Sequence, residues 1–313
     1  MVKTSEVENN SNNNPLVSVG IPTYNRPEGL RRTLECITNQ TYTNLEIIIS
    51  DNCSPNPDVE RIGREFAEKD PRIQYFRQKE NFGAFNNFNF VLERATGQYF
   101  MFAADDDEWE LFSISTFFSE FTRNPNIVLV MSACKRVDER GNTYDFIYNF
   151  HSEVDISKAS KIKLALNAST NYYWTYLLYG LFKMDYIKRT FRGSLEIFGS
   201  DLVFIIQLLL SSEFSYVTQD LYIRKVYETN TEIRYKNETL GRLYSDPLKY
   251  YKMMLNLSRF LLFSKEVSNK TKLWIPLIIA NMFINQILND CKGILICIYY
   301  KISASSHSHK LRT

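Results

Sequence analysis

From Leu16 onward, short apolar runs alternate with stretches of helical spacing. LVSVGI (16–21) is a β-branched run that predicts a buried strand, followed by Pro27 and by Leu30, Leu34 and Ile37 at helical intervals. LEIIIS (45–50) predicts a second strand, closed by the loop DNCSPNP (51–57). Val59, Ile62 and Phe66 mark a second helix that stops at Asp70-Pro71. IQYF (73–76) predicts a third strand, and FGAFNNFNFVLERAT (82–96) a third helix with Gly97 as its C-terminal cap. QYFMFA (98–103) and IVLVMSAC (127–134) predict two more strands. Strands alternating with single helices predict an α/β fold over about residues 15–135. Its core would be a doubly wound, mostly parallel sheet flanked by helices.

After residue 135 the alternation weakens. Residues 160–225 read as helices with a short strand pair, and 241–300 as two or three helices. The expected organisation is a polar, Asn-rich, disordered tail over 1–14, a main domain over 15–240 and a helical extension over 241–313. The main domain would have two halves, about 15–135 and 136–240. The extension is basic: Gly241 to Thr313 holds 11 Lys/Arg against 3 Asp/Glu. Within it, Leu273 to Asn289 is uncharged for 17 residues, yet Asn281, Asn285, Asn289 and Lys292 fall on one helical face. A stripe of amides is costly in hydrocarbon, so the pattern predicts an amphipathic helix and not a membrane span. Such a helix either docks on the protein core or lies on anionic lipid.

Composition narrows the chemistry. The 313 residues are 44% hydrophobic, enough for a sizeable core, and 37 basic against 35 acidic side chains leave a net charge of +2. That balance argues against a nucleic-acid partner. The three histidines are His151, His307 and His309, two of them in the last seven residues, so histidine-centred hydrolysis has little to work with. Five cysteines without a CxxC pair read as reduced thiols, not a zinc site or disulfide frame. The first residues lack the apolar stretch of a signal peptide, which makes a cytoplasmic protein the expectation. No GxGxxG or GxxxxGK[ST] motif is present, which sets aside dinucleotide and P-loop readings.

The most informative stretch is QYFMFAADDDEWE (98–110), where an apolar strand runs into Asp105, Asp106 and Asp107. Adjacent carboxylates repel one another unless something positive sits among them. Either they cap a helix N-terminus or they hold a hard cation, Mg²⁺ or Mn²⁺, which accepts one or two carboxylates and completes its shell with water and phosphate. Asp51 ends another strand in the same way. It would either form an Asx-turn or hydrogen-bond a ribose or nucleobase at the sheet edge where open α/β folds bind ligands.

VSVGIPTYNRPEGLRRTLECITNQTYTNLEIIISDNCS, with ENFGAFNN (80–87) and ATGQYFMFAADDDEW (95–109), resembles the family 2 glycosyltransferases, which have the GT-A fold. The resemblance is close over about residues 16–110 and fades towards residue 225. It implies a metal-dependent, inverting transferase that uses Mn²⁺ or Mg²⁺ and a nucleotide-sugar donor, with UDP as the expected nucleotide, and a glycan or lipid-linked glycan acceptor. Residue by residue it implies that Pro22, Thr23 and Tyr24 shape the nucleotide pocket, that Asp51 contacts the base or ribose, and that Asn81 and Gly83 lie near the nucleotide or sugar. Asp106 would be the main metal ligand, with Asp107 and Asp105 beside it on the sugar-diphosphate. Where many members read Asp-x-Asp-Asp, this chain has Ala104, Asp105, Asp106 and Asp107.

The implied single displacement needs a carboxylate to take the acceptor proton. Gly199-Ser200-Asp201 before an apolar helix resembles that region and points to Asp201 as the base, the alternative being that it merely caps the helix over 202–212. The aromatic run NYYWTYLLYG (171–180) offers Trp174 and Tyr176 as an acceptor platform, or simply as core. With the basic extension over 241–313, these features suggest a cytoplasmic enzyme of surface-polysaccharide synthesis, peripheral on the inner membrane face. A catalytically inactive glycan- or nucleotide-binding relative and a sugar-phosphate nucleotidyltransferase are the alternatives.

Overall fold

The computed structural model describes residues 14–138, 140–144, 160–169, 172–191, 200–226, 249–285 and 287–288. The expected tail therefore falls outside the described residues, save Asn14. The chain divides into two compact units, one of residues 1–130 with 179–189, the other of 131–178 with 190–313.

In the first unit, β1 (Val17–Thr23) and β2 (Leu45–Asp51) are buried at every position, as strands covered by helices on both faces must be. β3 (Ile73–Arg77) and β4 (Tyr99–Phe102) complete a parallel core in the order β3-β2-β1-β4, with Val17 opposite both Leu45 and Tyr99, and Ile47 opposite Ile73. The order reverses at β1, because β2 and β3 lie on one side of it and β4 on the other. A short two-residue strand, β5 (Glu108–Trp109), follows the acidic run. Beyond β4 the sheet turns antiparallel. β8 (Leu181–Lys183) pairs with β4 on one side and, on the other, with Leu129 and Val130 of β6 (Leu129–Asp138).

Helices α1 (Pro27–Thr38), α2 (Pro57–Lys69), α3 (Ala84–Arg94) and α4 (Ser113–Arg123) alternate with these strands. α1 and α2 both start on proline, whose missing N–H costs nothing at that position, and the Asn56 side chain caps α2 by accepting from Asp58 N. α1 buries Leu30, Leu34 and Ile37, the three residues that marked it in the sequence. The doubly wound, mostly parallel sheet expected from the periodicity is the fold of this unit.

Gly97 has a different role from the one expected. α3 ends on Ala95, and Gly97 sits where an added Cβ would lie 2.6 Å from the Leu16 carbonyl oxygen and 2.9 Å from Ser18 N. Close backbone approach, not helix capping, demands glycine there.

The second unit carries the rest of β6, with β7 (Thr143–Tyr144) antiparallel to it and β9 (Phe214–Val226) next to it in strand order. α5 (Lys161–Ala168) packs on a later helix of this unit, Ser200–Ser211, and a 3₁₀ segment spans Tyr172–Tyr179. α6 (Met184–Phe191), of which residues 184–189 belong to the first unit, precedes that later helix in the chain, which is α7. Leu202 to Leu210 of α7 are buried at every position, so it is the unit's central helix. α8 (Lys249–Phe263), α9 (Asn269–Lys272) and a helix over 275–285 follow. Among the described residues, no helix is long and apolar enough to cross a membrane.

Candidate active site

The C-terminal ends of β1, β2 and β4 meet where the strand order reverses, and each delivers a polar group there. β1 ends on Thr23, β2 on Asp51, and β4 leads through Ala103 and Ala104 to Asp105. The chain leaves β1 and β2 through left-handed residues, Asn25 (φ 57°) and Cys53 (φ 60°). Asn25 N donates to Ser54 Oγ at 2.9 Å, which ties the two turns together. Non-glycine residues in this region carry strain of about 1 kcal/mol each, held here by the surrounding hydrogen bonds.

Asp105 is the best anchored of the acidic run. Its Oδ2 accepts from Thr23 Oγ1 at 2.8 Å and from Tyr24 N at 3.3 Å, and its Oδ1 from Arg26 Nη1 at 3.1 Å. The same Arg26 nitrogen lies 2.5 Å from Asp106 Oδ2. Two carboxylates from one loop thus converge on one positive group. α1 holds that loop in place: Thr33 Oγ1 donates to the carbonyls of Ala104 and Asp107, and a Cβ on Gly29 would lie 2.1 Å from the Asp105 carbonyl oxygen. Asp107 itself is buried in the turn, held through its carbonyl.

Burial pushes the Asp105 carboxyl up to about 6; Arg26 opposes that shift, and neighbouring Asp106 adds to it. Its folded-state value therefore lies above the unfolded one, and the ionised group costs stability at neutral pH. That cost is relieved as pH falls through about 6 and is gone below the unfolded value near 4. Asp105→Asn, in protein stripped of metal with chelator, is expected to gain about 1–3 kcal/mol at neutral pH, the upper figure following from a shift of about two pH units. Urea titrations across the acid range should show the gain shrinking on acidification. A gain that grows instead would mean Arg26 outweighs burial.

Asp51 is wholly buried. Its Oδ1 accepts from Ser54 N at 2.8 Å, and its Oδ2 from Tyr75 Oη at 2.8 Å and Arg77 Nη1 at 3.0 Å. Three donors leave about one of a carboxylate's four acceptor sites, on Oδ1. Burial and the hydrogen bond to Asp51 push the Tyr75 hydroxyl far up, so it acts only as a donor at working pH. Asn81 stands in an exposed loop, where its Oδ1 accepts from Asn52 Nδ2 at 2.8 Å and from Gly83 N at 2.9 Å. Asn52 Oδ1 in turn accepts from Phe82 N at 3.0 Å. Gly83 has φ 84°, a left-handed conformation that suits glycine. Pro22 is buried in β1, while Tyr24 is 44% and Phe82 46% exposed, two aromatic faces open beside these loops.

The first unit therefore gathers Thr23, Tyr24, Asp105 and Asp106 around Arg26, and Asp51, Asn81 and Gly83 along the neighbouring loops. Asp201 and Tyr176 belong to the second unit. Asp201 is in the first turn of α7, half-buried, with its Oδ1 accepting from Leu202 N at 2.8 Å. The Tyr176 ring has the Arg224 guanidinium 4.8 Å from its centroid and the Tyr222 ring at 6.2 Å. The Trp174 side chain and Gly199 lie outside the described residues.

Four further side chains in the first unit go beyond the sequence reading. Arg26 links the carboxylates, Tyr75 and Arg77 hold Asp51, and Asn52 organises the loop at 80–83. Arg26 directly follows the Pro-x-Tyr-Asn motif, which was the one signal available for it. The others are separated by 24 or more residues from the groups they hold.

The arrangement fits a hard divalent cation. Among the described residues no group of three or more His, Cys, Asp and Glu side chains gathers as a metal cluster. The protein's offer is a carboxylate pair already aimed at one positive group. Mg²⁺ and Mn²⁺ sites that complete their shell with water and substrate phosphates use such a pair.

A family model described as glycosyl transferase family 2 matches residues 18–176, just over half of the chain. The chain belongs to that family. Its match takes in β1 from Ser18 onward, Asp51 and the whole Asp105–Asp107 loop. The GalNAc(5)-diNAcBac-PP-undecaprenol beta-1,3-glucosyltransferase of Campylobacter jejuni is 27% identical over 249 residues, 77% of this chain and 75% of that protein. The chondroitin synthase of Escherichia coli is 32% identical over 136 residues, 44% of this chain and only 20% of the synthase. Among solved structures, S. aureus TarS 1–349 in complex with UDP-GlcNAc superposes with a TM-score of 0.63 at 16% identity, over 86% of this chain and 72% of that one. The mannosyltransferase PcManGT from Pyrobaculum calidifontis, in complex with GDP-Man and Mn²⁺, gives 0.53 at 14% identity, over 93% and 80%. At these identities the superpositions establish the shared GT-A fold. Family 2 membership makes this chain a glycosyltransferase.

Proposed function

We propose that this family 2 glycosyltransferase moves a sugar from a UDP-sugar donor, with inversion, onto a lipid-linked glycan during surface-polysaccharide synthesis. The reaction would take place on the cytoplasmic side of a membrane. The observation that carries the reading is the convergence of Asp105 and Asp106 on one cationic position at the edge of β1 and β4. The lipid-linked acceptor is supported by the undecaprenol-linked glycan in the name of the Campylobacter relative, and the donor class by the UDP-GlcNAc and GDP-Man complexed with the two structural neighbours.

In this reading Asp106, Asp105 and Asp107 supply the donor-side carboxylates, Asp105 being held by Thr23 and Tyr24. A bound Mn²⁺ or Mg²⁺ supplies charge neutralisation for the departing diphosphate. Asp51, held by Tyr75 and Arg77, and the open ring of Tyr24 shape the nucleoside pocket, with Asn81 and Gly83 beside the sugar. Pro22 closes the pocket floor. The acceptor hydroxyl attacks the anomeric carbon and the bond to the diphosphate breaks, while Asp201 takes the hydroxyl proton. Trp174 and Tyr176 would form the acceptor platform.

A thermal-shift panel of UDP, GDP, dTDP and CMP, each with and without Mn²⁺, tests the donor half on the wild type and Asp106→Ala. A ligand that binds only the native state raises the melting temperature by mass action. A shift by UDP that needs both Mn²⁺ and Asp106 is expected. If GDP or dTDP gives that shift instead, the base assignment is wrong; if no nucleotide does, the donor site is.

A further inference from the structure

The helix over 275–285 presents its amides and one apolar row inward and a second apolar row outward. Asn281 Nδ2 donates to Leu166 O at 3.1 Å and to Ser169 Oγ at 3.0 Å, both at the end of α5 in the same unit, and Asn285 Nδ2 bonds back to Asn281. Ile275, Ile278 and Met282 are buried on that inner side. The outer arc holds Leu273, Leu277, Ile284 and Leu288, at i, i+4, i+11 and i+15, exposed by 79%, 48%, 58% and 52%. α8 repeats the arrangement. Met254, Leu257 and Leu261 are buried, while Leu255, Leu262 and Phe263 are exposed, Phe263 by 84%. Of the fourteen large apolar side chains exposed among the described residues, ten lie between 255 and 288. A helix that is apolar on both sides needs an apolar neighbour on both.

The charge beside this face narrows the neighbour. The turn from α8 into the next helix carries Lys265, Lys270 and Lys272, with exposed Arg259 one turn before the end of α8. Among the described residues none of these four cations is in an ion pair. Trp274, half-exposed, sits at the start of the apolar arc, where an amphipathic ring suits a water–lipid boundary. Cations that flank an exposed apolar shelf match the headgroups and upper acyl chains of an anionic leaflet. The shelf is too short to span a bilayer.

We propose that Phe263, Leu273, Trp274, Leu277, Ile284 and Leu288, flanked by Lys265, Lys270 and Lys272, form a docking surface for an anionic lipid bilayer. The helices lie in the plane of the interface, attached to the protein through the Asn281 face. This rests on the reading of a lipid-linked acceptor and adds which residues meet the membrane and which way the helix faces.

The test is co-sedimentation of the full chain with vesicles of phosphatidylcholine alone or mixed with phosphatidylglycerol. The variants are Trp274→Ser/Leu277→Ser and Lys265→Gln/Lys270→Gln/Lys272→Gln. All substituted positions are solvent-facing or partly so, and unchanged melting temperatures check the fold. The wild type is expected to partition onto the anionic vesicles, with Trp274 fluorescence shifting to the blue, a change absent in Trp274→Phe. The triple lysine variant should lose about a hundredfold in partitioning, since each cation near an anionic surface contributes roughly a fivefold factor. The proposal is overturned if the wild type ignores anionic vesicles, if both variants sediment as it does, or if the two serine substitutions instead turn a dimer into a monomer. The nucleotide thermal shift on the same proteins reports the donor site separately. A failed docking surface with an intact shift leaves the transferase reading standing.

Discussion

Asp106→Ala will lower transferase turnover by about a thousandfold or more while leaving the fold intact. The size follows from what the residue would do. Metal neutralisation of a leaving diphosphate contributes several kcal/mol to the transition state, and each 1.4 kcal/mol is about tenfold in rate. Removing Asp106 halves the carboxylate pair that converges on the position of Arg26 Nη1. Asp105 stays in place, because its hydrogen bonds to Thr23 and Tyr24 do not involve its neighbour. Stability should change little. The Asp106 side chain is 28% exposed, and its loss removes a like charge from beside a buried carboxyl. Initial rates of nucleotide release at saturating Mn²⁺ and donor, paired with urea melts, measure both effects. Turnover within tenfold of wild type would remove Asp106 from the metal site.

The contrast between Asp106 and its neighbours shows how far the chain can be read before it is folded. Strands buried on both faces announce themselves as unbroken β-branched runs, so β1 and β2, and with them the sheet edge that carries Thr23 and Asp51, were legible. The acidic run was legible as a demand for a cation, because adjacent carboxylates need one. Which cation meets them in this structure was not. Arg26 lies about 80 residues away from Asp105, and only the closing of α1 against the β4 loop, through Thr33 and Gly29, brings them together.

The Asn281 stripe shows the opposite limit. Periodicity grouped Asn281 with Asn285, which do bond to one another, while Asn289 and Lys292 lie outside the described residues; but polarity does not say whether an amide's partner is water or a backbone carbonyl. Here the partners are Leu166 O and Ser169 Oγ, and the helix is turned round relative to the usual solvent-facing amide. Short elements such as β8, three residues long, carry too few positions for any period to register. They form because β4 and Leu129–Val130 offer an edge to pair with.

Asp201→Asn separates two roles that share one carboxylate. The Oδ1 of Asp201 accepts from Leu202 N in the first turn of α7, and an asparagine oxygen can do the same. If capping were the whole of its contribution, the variant would melt within a degree or two of wild type and turn over normally. As the group that takes the acceptor proton, the residue needs a basic oxygen, and the amide has none. General-base catalysis contributes roughly a hundredfold to ten-thousandfold, so turnover at saturating acceptor is expected to fall by that factor. The nucleotide thermal shift and the slow hydrolysis of donor by water should persist, because the groups proposed to hold the donor belong to the other unit. Loss of both transfer and the nucleotide shift would mean that Asp201 supports the donor site instead, and unchanged transfer would place the base on another carboxylate.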